Sequence, residues 1–220
     1  MEIILVRHGE SVGNAEGRMQ GHSDYPLSDR GRAQARTLGS WLARMGITWS
    51  RAYASPLARA WETAQIVTSV TSGPAVEPEP LLKELMAGAL EGHTLEEIVA
   101  RFPRFAERHV TELGDFSEFG GESYDEVQAR ARALREKLER AHRGNGERVL
   151  LVGHGGFHFQ LAKSLICEPV PRVCILRITN CAATLIRLRE RHATYMGELL
   201  WHIPVDLMGE GSREGALEVV

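Results

Sequence analysis

The chain has 220 residues, 43% hydrophobic and 25% charged, with a formal net charge of −3, nine histidines and three cysteines. That length buries enough surface to fold without disulfides or a structural metal and suggests one domain, or one with a sizeable insertion. The mild acidity argues against a general nucleic-acid binder, and the odd cysteine count without a C-x-x-C pair argues against a disulfide framework or zinc ribbon. The early apolar run Ile3–Val6 is far too short for a signal peptide or a membrane span, so the expectation is a soluble, cytoplasmic protein with no nucleic-acid or membrane partner.

Glu2–Val6 is a continuous apolar stretch and reads as a buried strand. Arg7–Tyr25, rich in Gly, Asn, Ser and Asp, reads as loop. Ser28 offers an N-cap, and Leu27, Ala35, Leu38, Leu42 and Met45 recur at helical spacing up to Gly46. Arg51–Ala54 is a second short strand. Ser55-Pro56 then reads as an N-cap with proline at the first helical position, opening a helix through Ala60, Ala64 and Val67. Three prolines restrict Pro74–Pro80 to a short edge strand at most. Thr94/Glu97 and Ser123/Glu126 are capping boxes. The first opens a helix over Leu95–Arg101 that Pro103 interrupts, and the second a long helix through Val127, Ala131, Leu134 and Leu138. Gly144-Asn145-Gly146 turns the chain into the strand Arg148–Val152, and a helix follows over Phe157–Ile166. Cys174–Ile178, Ala183–Leu188 and Tyr195–Ile203 read as further strands, with a poorly structured tail after Pro204. Strands alternating with helices imply an α/β fold with a mainly parallel sheet, and Thr94–Gly121 is the natural insertion.

Ligands of open α/β sheets bind outside the carboxyl ends of the strands. Arg7-His8-Gly9-Glu10-Ser11 follows the first strand, Ser55-Pro56 with Arg59 follows the second, and Gly153-His154-Gly155-Gly156 follows Arg148–Val152. Two arginines and two histidines therefore gather at one sheet edge, each histidine beside a glycine that allows close approach. Together with two helix N-termini they make an anion site, and arginine forks match the oxygens of phosphate.

The run Leu5-Val6-Arg7-His8-Gly9-Glu10-Ser11, followed by Asn14 and Gln20-Gly21, resembles the signature of the histidine phosphatase superfamily, the phosphoglycerate-mutase-like proteins. The similarity continues through Leu27-Ser28-x-x-Gly31 with Gln34-Ala35, and Ser55-Pro56-Leu57-x-Arg59-Ala60 with Thr63-Ala64. It resumes at Glu84-x-x-x-Gly88-x-x-x-Gly92, Gly120-Gly121-Glu122-Ser123 and Val152-x-His154-Gly155-Gly156, in family order up to about Leu188. The resemblance implies a three-layer α/β/α sandwich over residues 1–205, with 94–121 as a helical cap and 206–220 as a tail. It makes His8 the nucleophile, with its tautomer fixed through the other ring nitrogen. Arg7, Arg59 and His154 hold the nonbridging phosphate oxygens, and Glu84 is the general acid and base. Asn14, Gln20, Gly21 and Gly155 match positions that contact the phosphate group, while Glu10 orients the loop or serves as a second acid. No cofactor or metal is implied, because the arginines and histidine supply the positive charge. The partner is a small phosphorylated metabolite, and a homodimer stays open.

Three other readings compete. Gly9-Glu10-Ser11-Val12-Gly13 fits the serine-hydrolase elbow, yet Ser11 has a single strand before it, the glycine-rich loop comes far behind, and Gly13-Asn14 opens a loop rather than a helix. His154 and His158 stand four apart, but Gly155-Gly156-Phe157 supplies no glutamate for a zincin motif, so His158 reads as a packed or capped helix residue. Loss of catalysis would leave a binding module, against which stand all five catalytic candidates. The remaining histidines, at positions 22, 93, 109, 142, 192 and 202, read as surface or local hydrogen-bonding groups, with His22 and His109 kept as further substrate contacts. Cys167, Cys174 and Cys181 read as buried small hydrophobes. Within the resembled family, Glu84–His93 lacks the arginine, tyrosine, asparagine and lysine that the glycolytic mutases carry there, which favours transfer to water over a mutase. The cap's Arg101, Arg104, Arg108 and His109 either face inward to an anionic substrate or form the wet side of an amphipathic hairpin whose phenylalanines face the core.

Overall fold

A computed structural model describes residues 1–108, 112, 114–142, 146–167, 170–171, 177–191 and 194–209. In chain order these form β1 (Glu2–Arg7), α1 (Val12–Ala15), α2 (Asp29–Arg44), β2 (Arg51–Ala54), α3 (Ala58–Thr71), β3 (Val76–Pro78), α4 (Leu95–Arg101), α5 (Pro103–Ala106), α6 (Tyr124–Ala141), β4 (Arg148–Gly153), α7 (Gly155–Ile166), β5 (Ala183–Arg191) and β6 (Thr194–Ile203). The strands make one six-stranded sheet in the order β3-β2-β4-β1-β5-β6. The four strands from β3 to β1 run parallel, while β5 and β6 are antiparallel and close the other edge.

Alternation along the central strands sorts the core into two layers. Ile4 and Val6 of β1 join Leu150 and Val152 of β4 against α2 and α3, whereas Ile3, Leu5, Val149 and Leu151 face α6 and α7. Both central strands are thus apolar on both faces, as a sheet covered on two sides requires. The three-layer α/β/α sandwich follows. Among the described residues no helix is long and apolar enough to cross a membrane.

Three expectations need correction. The loop after β1 contains the single-turn helix α1, because Ser11 and Asn14 form a reciprocal capping box. The helix after β2 starts at Ala58 with Leu57 as N-cap, not at Ser55-Pro56. Its first amide is met from afar by Asp24 Oδ1 at 2.7 Å, which frees the Ser55 side chain. After Pro204 the chain turns through Val205–Leu207, and Val205 and Met208 are buried against the α2/α3 layer. That burial, with Arg44 bonding the Met208 carbonyl, keeps this stretch packed. His142 is a buried hydrogen-bonding group, with Nδ1 2.6 Å from Glu147 and Nε2 3.3 Å from the Tyr53 hydroxyl. The expected turn at 144–145, His109, His192, Cys174 with most of its strand, and the tail from 210 lie outside the described residues. Cys181 is buried and Cys167 partly so.

Candidate active site

Sheet register assembles the site. Arg7 pairs with Gly153 across β1 and β4, and Ala54 pairs with Val152 across β2 and β4. The next residues on the three strands, His8, Ser55 and His154, therefore emerge together at one edge, with the two imidazoles 5.1 Å apart between ring centroids. The loop after β1 is pinned amide by amide. The His8 N–H donates to the Gly153 carbonyl, Gly9 to Thr63 Oγ1, Glu10 to Gln34 Oε1, and Ser11 to Asn14 Oδ1. A Cβ at Gly9 would fall 2.4 Å from the Gly31 carbonyl oxygen, and one at Gly31 would fall 2.0 Å from that of Glu10. Only glycine at both positions lets the loop lie on the start of α2.

His8 is buried, and its Nδ1 lies 2.6 Å from the Gly9 carbonyl oxygen. A carbonyl only accepts, so the proton sits on Nδ1 and Nε2 keeps its lone pair. Burial, then the charges of Arg7 and Arg59, hold the pKa of His8 well below the usual imidazole value, which keeps the ring neutral. His154 is depressed likewise, by burial first and then by His8 and Arg59. Its Nε2 meets Ser55 Oγ at 2.8 Å.

Arg7 and Arg59 are anchored but incompletely used. Arg7 Nη1 donates to the Ile178 carbonyl, while Arg59 donates to the carbonyls of Ser23 and Gly21. Burial works against both charges and the nearby Glu84 works for them. Among the described residues Arg7 Nε, Arg59 Nε and His154 Nδ1 are buried without a hydrogen-bond partner. Buried polar atoms are rarely left so, and these three belong to side chains that stand beside His8, Arg7 and Arg59 through their charges and His154 through its ring.

Glu84 sits at the N-terminus of α7. Its carboxylate accepts from the amides of Leu85, Gly156 and Phe157 at 2.9, 3.1 and 2.8 Å. The paired glycines have separate tasks. A Cβ at Gly156 would come within 2.7 Å of Glu84 Oε1, and one at Gly155 within 3.2 Å of Arg7 Nε. The other expected binding residues surround the same loop. Gln20 Oε1 lies 2.7 Å from Ser11 Oγ, and Gly21 holds φ +50°. Asn14 Oδ1 also accepts from Asn180 Nδ2, which bonds the His8 carbonyl as well.

The neighbours take the more local of the roles open to them. Glu10 bonds Ser28 Oγ and Arg30, so it orients the loop. His22 bonds the Glu84 backbone carbonyl at 2.9 Å. Arg101 meets His93, Arg104 meets Glu118, and Arg108 lies over Phe105, Phe116 and Phe119 while bonding the Glu112 and Asp115 carbonyls. The described cap is thus an amphipathic layer whose phenylalanines pack on Ala87, Leu90 and Ile98. Sequence reading missed Ser55, Asn180 and the jobs of Thr63 and Gln34. Ser55, Thr63 and Gln34 carried a signal, since all three stand in the quoted motifs.

A family model described as the histidine phosphatase superfamily (branch 1) matches residues 3–197. The chain belongs to the histidine phosphatase superfamily. Among similar proteins, a probable phosphoglycerate mutase GpmB of Photorhabdus laumondii is 32% identical over 89% of this chain and 88% of its own. A metal-independent phosphoserine phosphatase of Arabidopsis thaliana is 32% identical over 86% of this chain and 77% of its own. A mycobacterial glucosyl-3-phosphoglycerate phosphatase superposes with a TM-score of 0.75 at 28% identity, covering 91% of this chain and 98% of that one. The superfamily therefore supplies both mutase-like and phosphatase relatives.

Proposed function

We propose that this histidine phosphatase superfamily member hydrolyses a small phosphomonoester through a phosphohistidine on His8. The observation that carries the reading is the set of three unpartnered buried donors, Arg7 Nε, Arg59 Nε and His154 Nδ1, beside a neutral histidine with its lone pair on Nε2. Phosphoryl transfer asks a protein chiefly for positioning and charge stabilisation, and these groups offer both.

In the first step the Nε2 lone pair bonds to phosphorus, the ester P–O bond breaks, and Glu84 passes a proton to the departing oxygen. In the second, Glu84 takes a proton from water as its oxygen bonds to phosphorus, the P–N bond breaks, and neutral His8 returns. Arg7, Arg59 and His154 hold the three nonbridging oxygens, and Asn14, Gln20, Gly21 and Gly155 shape the loop around them. The cap arginines Arg101, Arg104 and Arg108 already bond within the chain, and a mutase needs added cations to retain a bisphosphate, so their engagement supports hydrolysis over a mutase cycle. The two phosphatase relatives make carboxylated phosphomonoesters, such as phosphoserine, the first substrates to assay.

The test is turnover of an aryl phosphate without added metal, with a chelator present, by the wild type and His8→Ala. The expected result is chelator-insensitive activity, an acid-labile phosphoenzyme, and loss of both in His8→Ala. Activity surviving that substitution would overturn the mechanism.

A further inference from the structure

The motif Gly120-Gly121-Glu122-Ser123 lies outside the chemistry above, yet its glutamate meets the segment that carries Glu84. Glu122 accepts the Met86 amide on Oε2 at 2.9 Å and returns its own amide to the Met86 carbonyl at 2.9 Å. Both of its carboxylate oxygens also hold Arg130 of α6, Oε1 from Nε at 2.9 Å and Oε2 from Nη2 at 2.7 Å. The fork so fixed faces the other side of the same segment. Arg130 Nη1 donates to the carbonyls of Leu81 and Lys83 at 2.9 and 2.6 Å, and Nη2 to that of Glu84 at 3.3 Å. The guanidinium also lies 4.1 Å above the ring of Phe157, the residue whose amide donates to Glu84 Oε1.

One planar group therefore touches both the backbone that bears Glu84 and the residue that holds its carboxylate. The pair is partly buried, at 14% and 17% side-chain exposure, so its geometry is not that of a solvated surface pair. Arginine is required for this, because a bidentate carboxylate contact, three carbonyls and a ring face together need a flat fork of five donors.

We infer that Arg130 and Glu122 are positioning residues for the general acid, acting through Glu84 and not on the phosphate. The inference rests on the assignment of Glu84 proposed above. A displaced acid slows most the esters whose leaving oxygen needs a proton. Arg130→Lys and Glu122→Gln should therefore raise the demand for a good leaving group while leaving the phosphate grip intact.

The experiment compares kcat/KM, which reports formation of the phosphohistidine, for an alkyl phosphate and for p-nitrophenyl phosphate. Each is measured in wild type, Arg130→Lys, Glu122→Gln, Glu84→Gln and the two double variants with Glu84→Gln. Either single clamp variant should lose about 30-fold on the alkyl ester and under about threefold on the aryl ester, within the range general acid catalysis supplies. In the Glu84→Gln background the same substitutions should add less than about twofold, because their target is gone. Equal losses on both esters, or losses that multiply with Glu84→Gln, would show a merely structural role and sink the inference. If Glu84→Gln alone shows no leaving-group selectivity, the acid assignment itself falls and takes the clamp with it. Glu122→Gln keeps an acceptor for the Met86 amide, so it decides the matter should Arg130→Lys fold poorly.

Discussion

Ser55 Oγ lies 2.8 Å from His154 Nε2, and the same hydroxyl accepts the Leu57 amide at 3.3 Å. The hydroxyl is fully buried and, among the described residues, its one hydrogen has no acceptor other than this imidazole nitrogen. That places the proton of His154 on Nδ1, the nitrogen left without a partner. Ser55→Ala removes the bond that selects this tautomer and strands a buried nitrogen. We expect a stability loss of about 1–3 kcal/mol. We also expect kcat/KM to fall about tenfold, short of the roughly hundredfold or greater effect of deleting a charge-stabilising donor outright. Urea unfolding and steady-state kinetics read the two effects. An unchanged kcat/KM would show that the tautomer of His154 is immaterial.

Gly21 carries a second expectation. Its φ of +50° is one that a side chain resists, and a Cβ there would stand 2.1 Å from Glu91 Oε1. Glu91 is itself engaged by the Ser23 and Ala87 amides, and Arg59 hangs on the Gly21 carbonyl. Gly21→Ala should cost about 2–3 kcal/mol, the upper part of the usual range for single substitutions, and should raise KM by moving Arg59. Calorimetry and KM for the aryl phosphate check this. An unchanged Tm would mean the loop is slack.

The mainly parallel sheet, the buried strand β1 and the convergence of His8, Arg59 and His154 were legible because each follows from an apolar run, a strand end or a helical period. Ser55 was not, since Ser-Pro before an apolar period is also a good helix start and a single sequence contains nothing to weigh a distant Asp24 against it. Asn180 stayed hidden for a related reason. It reaches Asn14 and the His8 carbonyl across more than 160 positions of chain, a pairing only topology creates. The single turn at Val12–Ala15 was masked by the polar composition that also builds its capping box.

That turn bears on the esterase reading of Ser11, because a helix does follow the serine. Ser11 Oγ nevertheless accepts the Asn14 amide at 3.1 Å and lies 2.7 Å from Gln20 Oε1, with the whole residue buried. It is a cap, and among the described residues its hydroxyl bonds only Asn14 and Gln20, neither of them a base. Ser11→Ala should lower stability by about 1–2 kcal/mol, as lost N-caps do. Phosphatase kcat should stay within about fivefold of wild type, far from the collapse that follows removal of a nucleophile. Collapse of kcat with an unchanged Tm would reinstate serine chemistry.

His158 sets the last expectation, a dependence of stability on pH. It is fully buried one helical turn beyond His154, neither ring nitrogen has a hydrogen-bond partner among the described residues, and burial with the Arg7 charge lowers its pKa to about 3. The unfolded chain holds this imidazole near its ordinary value of 6.5. Between those two values the unfolded state binds a proton that the native state does not, so stability is complete above pH 6.5 and is lost as pH falls toward 3. The slope is about 1.4 kcal/mol per pH unit for this one residue. His8 and His154, depressed in the same direction, steepen it further. His158→Leu fills similar space without the titrating ring or its two orphaned nitrogens. It should match wild type within about 1 kcal/mol at pH 7, because an apolar group of like shape replaces unsatisfied polar atoms. At pH 5 it should be the more stable by about 2 kcal/mol, the product of that slope and the distance from 6.5. Urea midpoints at the two pH values decide it, and equal pH slopes for the two proteins would show that His158 is protonated in the native state.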